Sequence, residues 1–486
     1  MRKLFLIISA LVLAFPAGAA ANDKLHGSIL QVFVTSTYPN HNEPWQSYGQ
    51  FRKSGSGVII AGNRILTNAH VVQDASFIEV KKANDTRKYI ANLEVIAHDV
   101  DLALLTVADR KFYDGVTPLE IGVLPNLRDK VAVYGFPQGG TTLSVTEGIV
   151  SRIEVTDTAQ DSTPVLAIQI DAAVNYGNSG GPVLLAGKVV GIAFQSLSGG
   201  QNINYILSPP VIGRFLKDIA DGAYDGVPDI EADVQIVENE DMKRFYGLNE
   251  GQGGILIRSI KNPRLAGILR EGDVITAIDG YVVDNEGYIT YRKGIRVFAS
   301  VPILQKQVGE TITLIVVRDR KARSVQVPLA VAYSANRLVP RAVRERKAPY
   351  YILGGLVFTK LTNALIYKQQ KECESWERLP SLIKEDYLDE GILGERKEIV
   401  VLNKVLPDQV NAGYVMREPE RVTKANTVSI GSLQDLIRAV EGNRGAYHVI
   451  DTDDGRYILD RTNAALRTPV ILKKYGIAAD RSEDLQ

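Results

Sequence analysis

The sequence predicts a mainly β protein, with one large all-β region followed by two smaller α/β units. From about residue 25 to residue 210, short runs rich in Val, Ile, Leu and Tyr alternate with Gly, Asn and Asp. This alternation is typical of a β-barrel or a β-sandwich. The segment Pro209–Ala220 has apolar residues at helical spacing and closes the region. The later regions mix strand-like and helix-like runs, which predicts α/β units.

The elements follow from these runs in chain order. In the all-β region the predicted strands are Ser28–Thr35, Gly57–Ile60, Phe77–Lys81, Leu102–Val107, Lys130–Gly135, Leu166–Asp171 and Lys188–Gln195. The stretch Asp221–Asp229, rich in Gly and Asp, is interpreted as a linker, and the basic stretch Arg337–Pro349 as a second connector. In the later regions we predict strands at Thr311–Val317, Tyr350–Phe358, Glu398–Val405 and Tyr447–Asp451, and a helix at Ser432–Val440.

The charge balance argues against a polyanionic partner. Lysine plus arginine and aspartate plus glutamate each total 56 of the 486 residues, so the formal net charge is zero. A neutral chain has no overall electrostatic attraction to nucleic acid or to an anionic membrane. We therefore expect no nucleic-acid partner.

The N-terminus has the pattern of a secretory signal peptide over residues 1–21. Arg2 and Lys3 precede the apolar run Leu4–Phe15, and small residues follow it. The run is too short to span a bilayer comfortably, although a retained anchor is the alternative. We expect an exported protein, periplasmic or secreted, with no stable membrane insertion after cleavage.

The sequence contains one cysteine, Cys373, so no disulfide can form within the chain. Glutamates on both sides of it would disfavour a reactive thiolate. We interpret Cys373 as a structural or incidental residue.

The hexapeptide GNSGGP, Gly177–Pro182, is the strongest chemical signal. A serine hydroxyl becomes a good nucleophile when a base accepts its proton during attack. Glycines let the backbone turn sharply, so that amide N–H groups point at the oxygen of a tetrahedral intermediate. Ser179 is therefore the predicted nucleophile, and the amides of Gly177 and Ser179 are the predicted oxyanion donors. The alternative is an ordinary Gly-Ser turn.

A histidine must serve as the base, and the five candidates are His26, His41, His70, His98 and His448. His70 follows a strand-like run and precedes two valines. Taken alone, it fits a core histidine with satisfied hydrogen bonds better than a base. Together with the serine motif, it becomes the predicted general base.

The base needs a carboxylate to hold its tautomer and to stabilise the imidazolium. Asp99 and Asp101 are both available, just before the apolar run Leu102–Val107. Strand alternation puts both on one face, so periodicity does not choose between them. The chain order His, Asp, Ser is that of chymotrypsin-like enzymes.

These motifs resemble the HtrA/Deg family of chymotrypsin-fold serine proteases, and most closely its plant-type Deg branch. The family pattern Asp-x-Ala-x-Leu selects Asp101 over Asp99. The matching segments are Gly55–Ile60, Thr67–Val72, Asp101–Leu105, Gly177–Pro182 and Asn204–Ile206, with Tyr350–Phe358 resembling the opening of the last domain of the plant branch.

The resemblance implies a chymotrypsin-like double β-barrel protease domain over residues 22–222. It also implies a PDZ domain over residues 230–335 and a diverged PDZ-like domain over residues 346–475. Members of the family cleave unfolded or damaged proteins and form trimers or larger multiples, so we expect such substrates and a homo-oligomer. A His70–Asp101–Ser179 triad needs no metal and no cofactor.

An apolar pocket for the residue before the cut is expected beside the strand Gly191–Ser196. Its predicted lining residues are Ala193, Phe194, Gln195 and Ile203. The rival hypothesis for the whole chain is a holding chaperone or peptide-binding scaffold with weak or ligand-activated proteolysis.

Overall fold

The strands of the all-β region form two closed barrels in the computed structural model. The model describes residues 25–83, 85–137, 140–158, 162–196, 203–333, 338–339, 347–366, 397–416 and 418–486. The first barrel contains β1 (Ile29–Ser36), β2 (Phe51–Ile60), β3 (Arg64–Thr67), β4 (Ala75–Lys82), β5 (Tyr89–Ala97) and β6 (Leu102–Val107). The second contains β7 (Lys130–Gly135), β8 (Ser144–Asp157), β9 (Pro164–Ile170), β10 (Pro182–Leu185), β11 (Lys188–Ser196) and β12 (Asn204–Leu207). The predicted signal peptide and Cys373 lie outside the described residues.

The first barrel has a buried strand, β6, directly after Asp101. Strand β6 is buried at five of its six positions, so it is a continuous apolar run rather than an alternating one. Phe112, on the 3-10 turn Arg110–Tyr113, is fully buried and meets Tyr89 and Tyr113 edge-on. Asp101 directly precedes this buried strand and is itself only 2% exposed.

Two short helices complete the barrels. Helix α1 (Ala69–Val72) is one turn between β3 and β4, and it carries His70. Helix α2 (Pro209–Asp218) starts with prolines, which fit a first helical turn, and buries Ile212 and Phe215 completely. The helix predicted over Pro209–Ala220 therefore ends two residues early, and a 3-10 turn, Ile219–Asp221, follows it.

The first α/β unit continues from this turn. Its strands are β13 (Pro228–Asp229), β14 (Ala232–Ile236), β15 (Ile255–Ile260), β16 (Val274–Ile278), β17 (Tyr281–Val282), β18 (Tyr288–Arg292), β19 (Ile295–Phe298), β20 (Thr311–Arg318), β21 (Lys321–Pro328) and β22 (Val331–Ala332). Its helices are α3 (Glu240–Tyr246) and α4 (Val301–Leu304), with a 3-10 turn at Pro263–Leu265. The unit shares one continuous apolar core with the second barrel.

The second α/β unit has its own core beneath helix α5 (Leu433–Glu441). Its strands are β23 (Tyr350–Leu353), β24 (Leu356–Lys360), β25 (Val400–Val405), β26 (Glu420–Ala425), β27 (Val428–Ser429), β28 (Tyr447–Thr452) and β29 (Arg456–Asp460). Helix α6 (Arg461–Tyr475) follows, and 3-10 turns lie at Gln409–Asn411 and Glu483–Leu485. No helix in the described ranges is both long and apolar enough to cross a membrane.

The single strand predicted over Tyr350–Phe358 is wrong. The chain reverses at Gly354 and Gly355, whose φ values are 55° and 86°, and the two halves pair as an antiparallel hairpin. Positive φ at consecutive turn residues suits glycine and matches the twist of the flanking strands. The two glycines stand in the middle of an apolar run. The run therefore looks like one continuous strand in the sequence, and the turn is not apparent.

The loop between β1 and β2 packs against the second α/β unit of the same chain. The Trp45 and Tyr350 rings meet edge-on with their centroids 5.7 Å apart. Asn403 donates from its amide to the carbonyl of His41 at 3.2 Å, and Lys404 pairs with Glu43. The loop therefore has partners within its own chain.

Candidate active site

His70 and Asp101 form a two-point contact. The backbone N–H of His70 donates to Asp101 Oδ1 at 2.9 Å, and the ring Nδ1 lies 2.8 Å from Oδ2. An ionised carboxylate can only accept, so Nδ1 carries the proton and Nε2 keeps its lone pair. Because backbone and ring are both bound to one carboxylate, the orientation of the imidazole is fixed. This arrangement suits a general base.

A tight turn presents the Asp101 carboxylate to His70. Asp101 has a φ of 52°, in the left-handed region that aspartate tolerates better than most residues. Its N–H donates to the His98 carbonyl at 3.3 Å, and its own carbonyl accepts from the Asn68 amide at 2.8 Å. Asp99, the other candidate, instead accepts from the Tyr224 hydroxyl and the Val227 N–H. The two carboxylates therefore bind different partners.

The backbone at Ser179 lies against the segment that precedes His70. The Ser179 carbonyl accepts from the Ser56 N–H at 2.8 Å, and a methyl group placed on Gly180 would lie 3.1 Å from the Asn68 nitrogen. In the described residues, the Ser179 hydroxyl makes no hydrogen bond to the His70 ring. Catalytic hydrogen bonds often tighten only when substrate binds.

Two backbone N–H groups around Ser179 differ from their neighbours. The N–H groups of Asn178, Gly180 and Gly181 each donate to a carbonyl at 2.8–2.9 Å. Those of Gly177 and Ser179 have no protein acceptor within the described residues. Most buried N–H groups are paired, so the unpaired donors of Ser179 itself and of Gly177, two residues earlier, are well suited to bind an oxyanion.

The turn from Asn175 to Asn178 sets the direction of these donors. The Asn178 N–H donates to the Asn175 carbonyl at 2.9 Å, and Gly177, in the third position of this turn, has a φ of 99°. A type II turn needs such a φ at its third residue, which explains the glycine.

Ser56 anchors this turn, a role that the sequence gives no means to assign. Its fully buried hydroxyl donates to the Gly177 carbonyl at 2.7 Å and accepts from the Phe136 N–H at 2.9 Å. The Thr67 hydroxyl donates to the Ser56 carbonyl at 2.7 Å. Ser56 lies 121 residues from Gly177 in the chain. Only the packing of the two barrels brings them together.

Lys53 fixes the far end of helix α1. Its ammonium donates to the carbonyls of His70 and Gln73, at 2.9 and 3.0 Å. A cation at a helix C-terminus satisfies carbonyls that have no partner in the helix. Burial lowers the pKa of Lys53, an effect that nearby Asp74 opposes.

The residues predicted to line the pocket differ in their placement. Ala193 and Phe194, on β11, are buried, with Phe194 only 5% exposed, while Ile203 is partly exposed. The pairing of β11 with β12 shifts register between Ala193 and Gln195, and such bulges redirect side chains. The Gln195 side chain lies outside the described residues. The apolar pocket stays a prediction.

Comparisons with known proteins match a peptidase domain in the barrel region and a PDZ domain in the second α/β unit. A trypsin-like peptidase domain matches residues 55–192, and a PDZ domain matches residues 339–484. Protease Do-like 2, chloroplastic, of Arabidopsis thaliana is 36% identical over 94% of this chain and 75% of its own. Protease Do-like 4, mitochondrial, of the same plant is 35% identical over 94% of this chain and 85% of its own.

The fold has a counterpart among solved structures. A variant of the HtrA-type protease AlgW, solved with a decapeptide, has a TM-score of 0.51 and is 22% identical. The match covers 64% of this chain and 97% of that one. At this identity the likeness concerns the fold.

Replacing Ser56 with alanine tests whether this residue anchors the turn from Asn175 to Asn178. Ser56→Ala leaves the Gly177 carbonyl and the Phe136 N–H without their partner, so the turn loosens. We expect kcat on a peptide substrate to fall about tenfold, less than the 10²–10³-fold loss on removing an oxyanion donor itself. Ser54→Ala, two residues earlier on the same strand, is the control and should keep wild-type kcat. Equal kcat in both variants would contradict the assignment.

Proposed function

Because this chain belongs to the Do-like family of HtrA-type serine endopeptidases, we propose that it degrades unfolded or damaged exported proteins through a His70–Asp101–Ser179 triad. The observation that carries this proposal is the two-point contact of Asp101 with His70, together with the unpaired N–H groups of Gly177 and Ser179.

The proposed reaction runs in two halves. Ser179 Oγ bonds to the substrate carbonyl carbon while His70 Nε2 accepts the hydroxyl proton. The negative charge on the carbonyl oxygen is stabilised by the N–H groups of Gly177 and Ser179. The C–N bond then breaks as His70 returns the proton to the leaving amine, which leaves an acyl ester on Ser179. A water molecule, activated by His70, hydrolyses the ester.

Asp101 acts through His70 in this scheme. Its carboxylate keeps the proton on Nδ1 and stabilises the imidazolium that forms during attack. Asp101 is almost fully buried, and the attraction between a carboxylate and a cation is stronger where water is excluded. The same burial keeps water from competing for the carboxylate oxygens.

The PDZ domain match over residues 339–484, and the PDZ domain predicted for the first α/β unit, favour substrates that are extended chains. Such units bind a peptide as an additional strand, and an unfolded protein offers extended backbone that a folded one does not. We propose that the units deliver unfolded segments to the barrels. We also propose that residues 1–21 direct export, and that the mature chain assembles as a trimer or a multiple of one.

A nucleophile variant separates the protease hypothesis from the chaperone hypothesis. Ser179→Ala removes the attacking oxygen, so casein cleavage should fall by more than about 10⁴-fold. Ser76→Ala, a serine on β4 away from the site, should cleave casein as the wild type does. Equal cleavage by Ser179→Ala and wild type, or cleavage by neither, would defeat the protease proposal. Suppression of aggregation without cleavage would favour a chaperone.

Light scattering tests the assembly. The Ser179→Ala protein can be measured alone and with unfolded casein, because it should bind without consuming the substrate. We expect a mass three times that of one mature chain, or a multiple of this. A single-chain mass at every concentration, with and without casein, would contradict the trimer.

A further inference from the structure

We propose that Asp99 and Tyr224 are positioning residues, which hold the turn that presents Asp101 to His70 and so connect the segment before the first α/β unit to the triad. This inference rests on the proposed function of Asp101.

The turn from His98 to Asp101 needs support from outside. A non-glycine residue with a φ of 52° is disfavoured and persists where its surroundings enforce it. The hydrogen bond that closes the turn, from the Asp101 N–H to the His98 carbonyl, is long at 3.3 Å. The turn's own backbone bond is therefore a weak restraint.

Asp99 supplies the missing restraint from inside the turn. Its Oδ1 accepts from the Val100 N–H at 2.9 Å and from the Tyr224 hydroxyl at 2.5 Å, and its Oδ2 accepts from the Val227 N–H at 3.0 Å. The Thr158 hydroxyl donates to its carbonyl at 3.1 Å. Hydrogen bonds to a charged acceptor are roughly twice as strong as neutral ones. Asp99 is thus fixed at both its side chain and its backbone.

Residues of helix α2 hold Tyr224 in place. Its hydroxyl accepts from Arg214 Nη2 at 3.1 Å, and its ring meets Phe215 edge-on. Arg214 also donates to the Asp218 carboxylate at 3.1 Å and to the Gly226 carbonyl at 2.8 Å, with both charged side chains nearly fully buried. Burial and the Asp99 charge raise the pKa of Tyr224 well above 10, so the phenol remains a donor.

The location of Tyr224 links its contact with Asp99 to the first α/β unit. Tyr224 and Val227 lie within the stretch Asp221–Asp229, which the sequence suggested to be a linker and which the structure instead packs against the first barrel. The stretch ends in β13, the first strand of the first α/β unit. A movement of the first α/β unit that withdraws the Tyr224 hydroxyl would remove one of the three hydrogen bonds to the Asp99 carboxylate. Because Asp99 is two residues from Asp101, the turn that presents the triad carboxylate would then be less firmly held.

Conservative variants test the proposal with the full-length protein and a peptide substrate. Tyr224→Phe removes one hydroxyl and keeps the ring, and we expect kcat to fall about three- to thirtyfold with KM changed less than about twofold. Asp99→Ala should lower kcat about ten- to a hundredfold, as expected for a small misplacement of a catalytic group. Asp99→Asn keeps one acceptor oxygen and should lie between Asp99→Ala and wild type. The double variant Tyr224→Phe with Asp99→Ala should match Asp99→Ala alone.

A matched control separates positioning from general stability. Tyr457 in the second α/β unit also donates its hydroxyl to a carboxylate, that of Glu420, at 2.7 Å. Tyr457→Phe therefore removes the same kind of bond far from the triad and should keep wild-type kcat. All variants are compared at a temperature where thermal unfolding shows them fully folded.

The possible results are distinguishable. Unchanged kcat in Tyr224→Phe, losses that multiply in the double variant, or an equal loss in Tyr457→Phe would overturn the positioning role while leaving the protease function intact. A wild-type protein without cleavage that depends on Ser179 would overturn both.

Discussion

The contact between Asp101 and His70 is the interaction on which the site depends. One carboxylate binds both the backbone N–H and the ring of the same histidine, at 2.9 and 2.8 Å. A single hydrogen bond to the ring would let the imidazole rotate about that bond. The second hydrogen bond, to the backbone N–H, fixes the backbone and the ring of His70 together. This contact favours the tautomer with the proton on Nδ1, which leaves Nε2 as the basic nitrogen.

The surrounding fold maintains this contact from several directions. Lys53 holds the carbonyl of His70 from β2, and Asn68 holds the carbonyl of Asp101. Ser56 holds the Gly177 carbonyl in the turn from Asn175 to Asn178, which belongs to the second barrel. The site thus lies where the two barrels meet, and a residue of the first barrel fixes the turn that the second barrel contributes. Rigid elements suit catalytic groups because small displacements are costly.

The sequence predicts candidate site residues where the signal is local. His70 and Ser179 lie in short motifs, and these motifs indicate a base and a nucleophile without a structure. The choice between Asp99 and Asp101 was not legible from periodicity, because both lie in a turn rather than a strand, and the positive φ of Asp101 breaks the alternation. Ser56 and Tyr224 act across 121 and 125 residues of chain, a separation that no local pattern can reveal. The stretch around Tyr224 has the composition of a linker, yet the Tyr224 hydroxyl and the Val227 N–H bind it to Asp99.

Covalent labelling by a fluorophosphonate tests the central claim most directly, because this reagent reacts with a serine that a neighbouring base has activated. The account predicts that mass spectrometry finds the label on the peptide containing Ser179, and that His70→Ala and Asp101→Ala each slow the labelling by orders of magnitude. Labelling of a different serine, or labelling of Ser179 at an unchanged rate in the His70 variant, would contradict it.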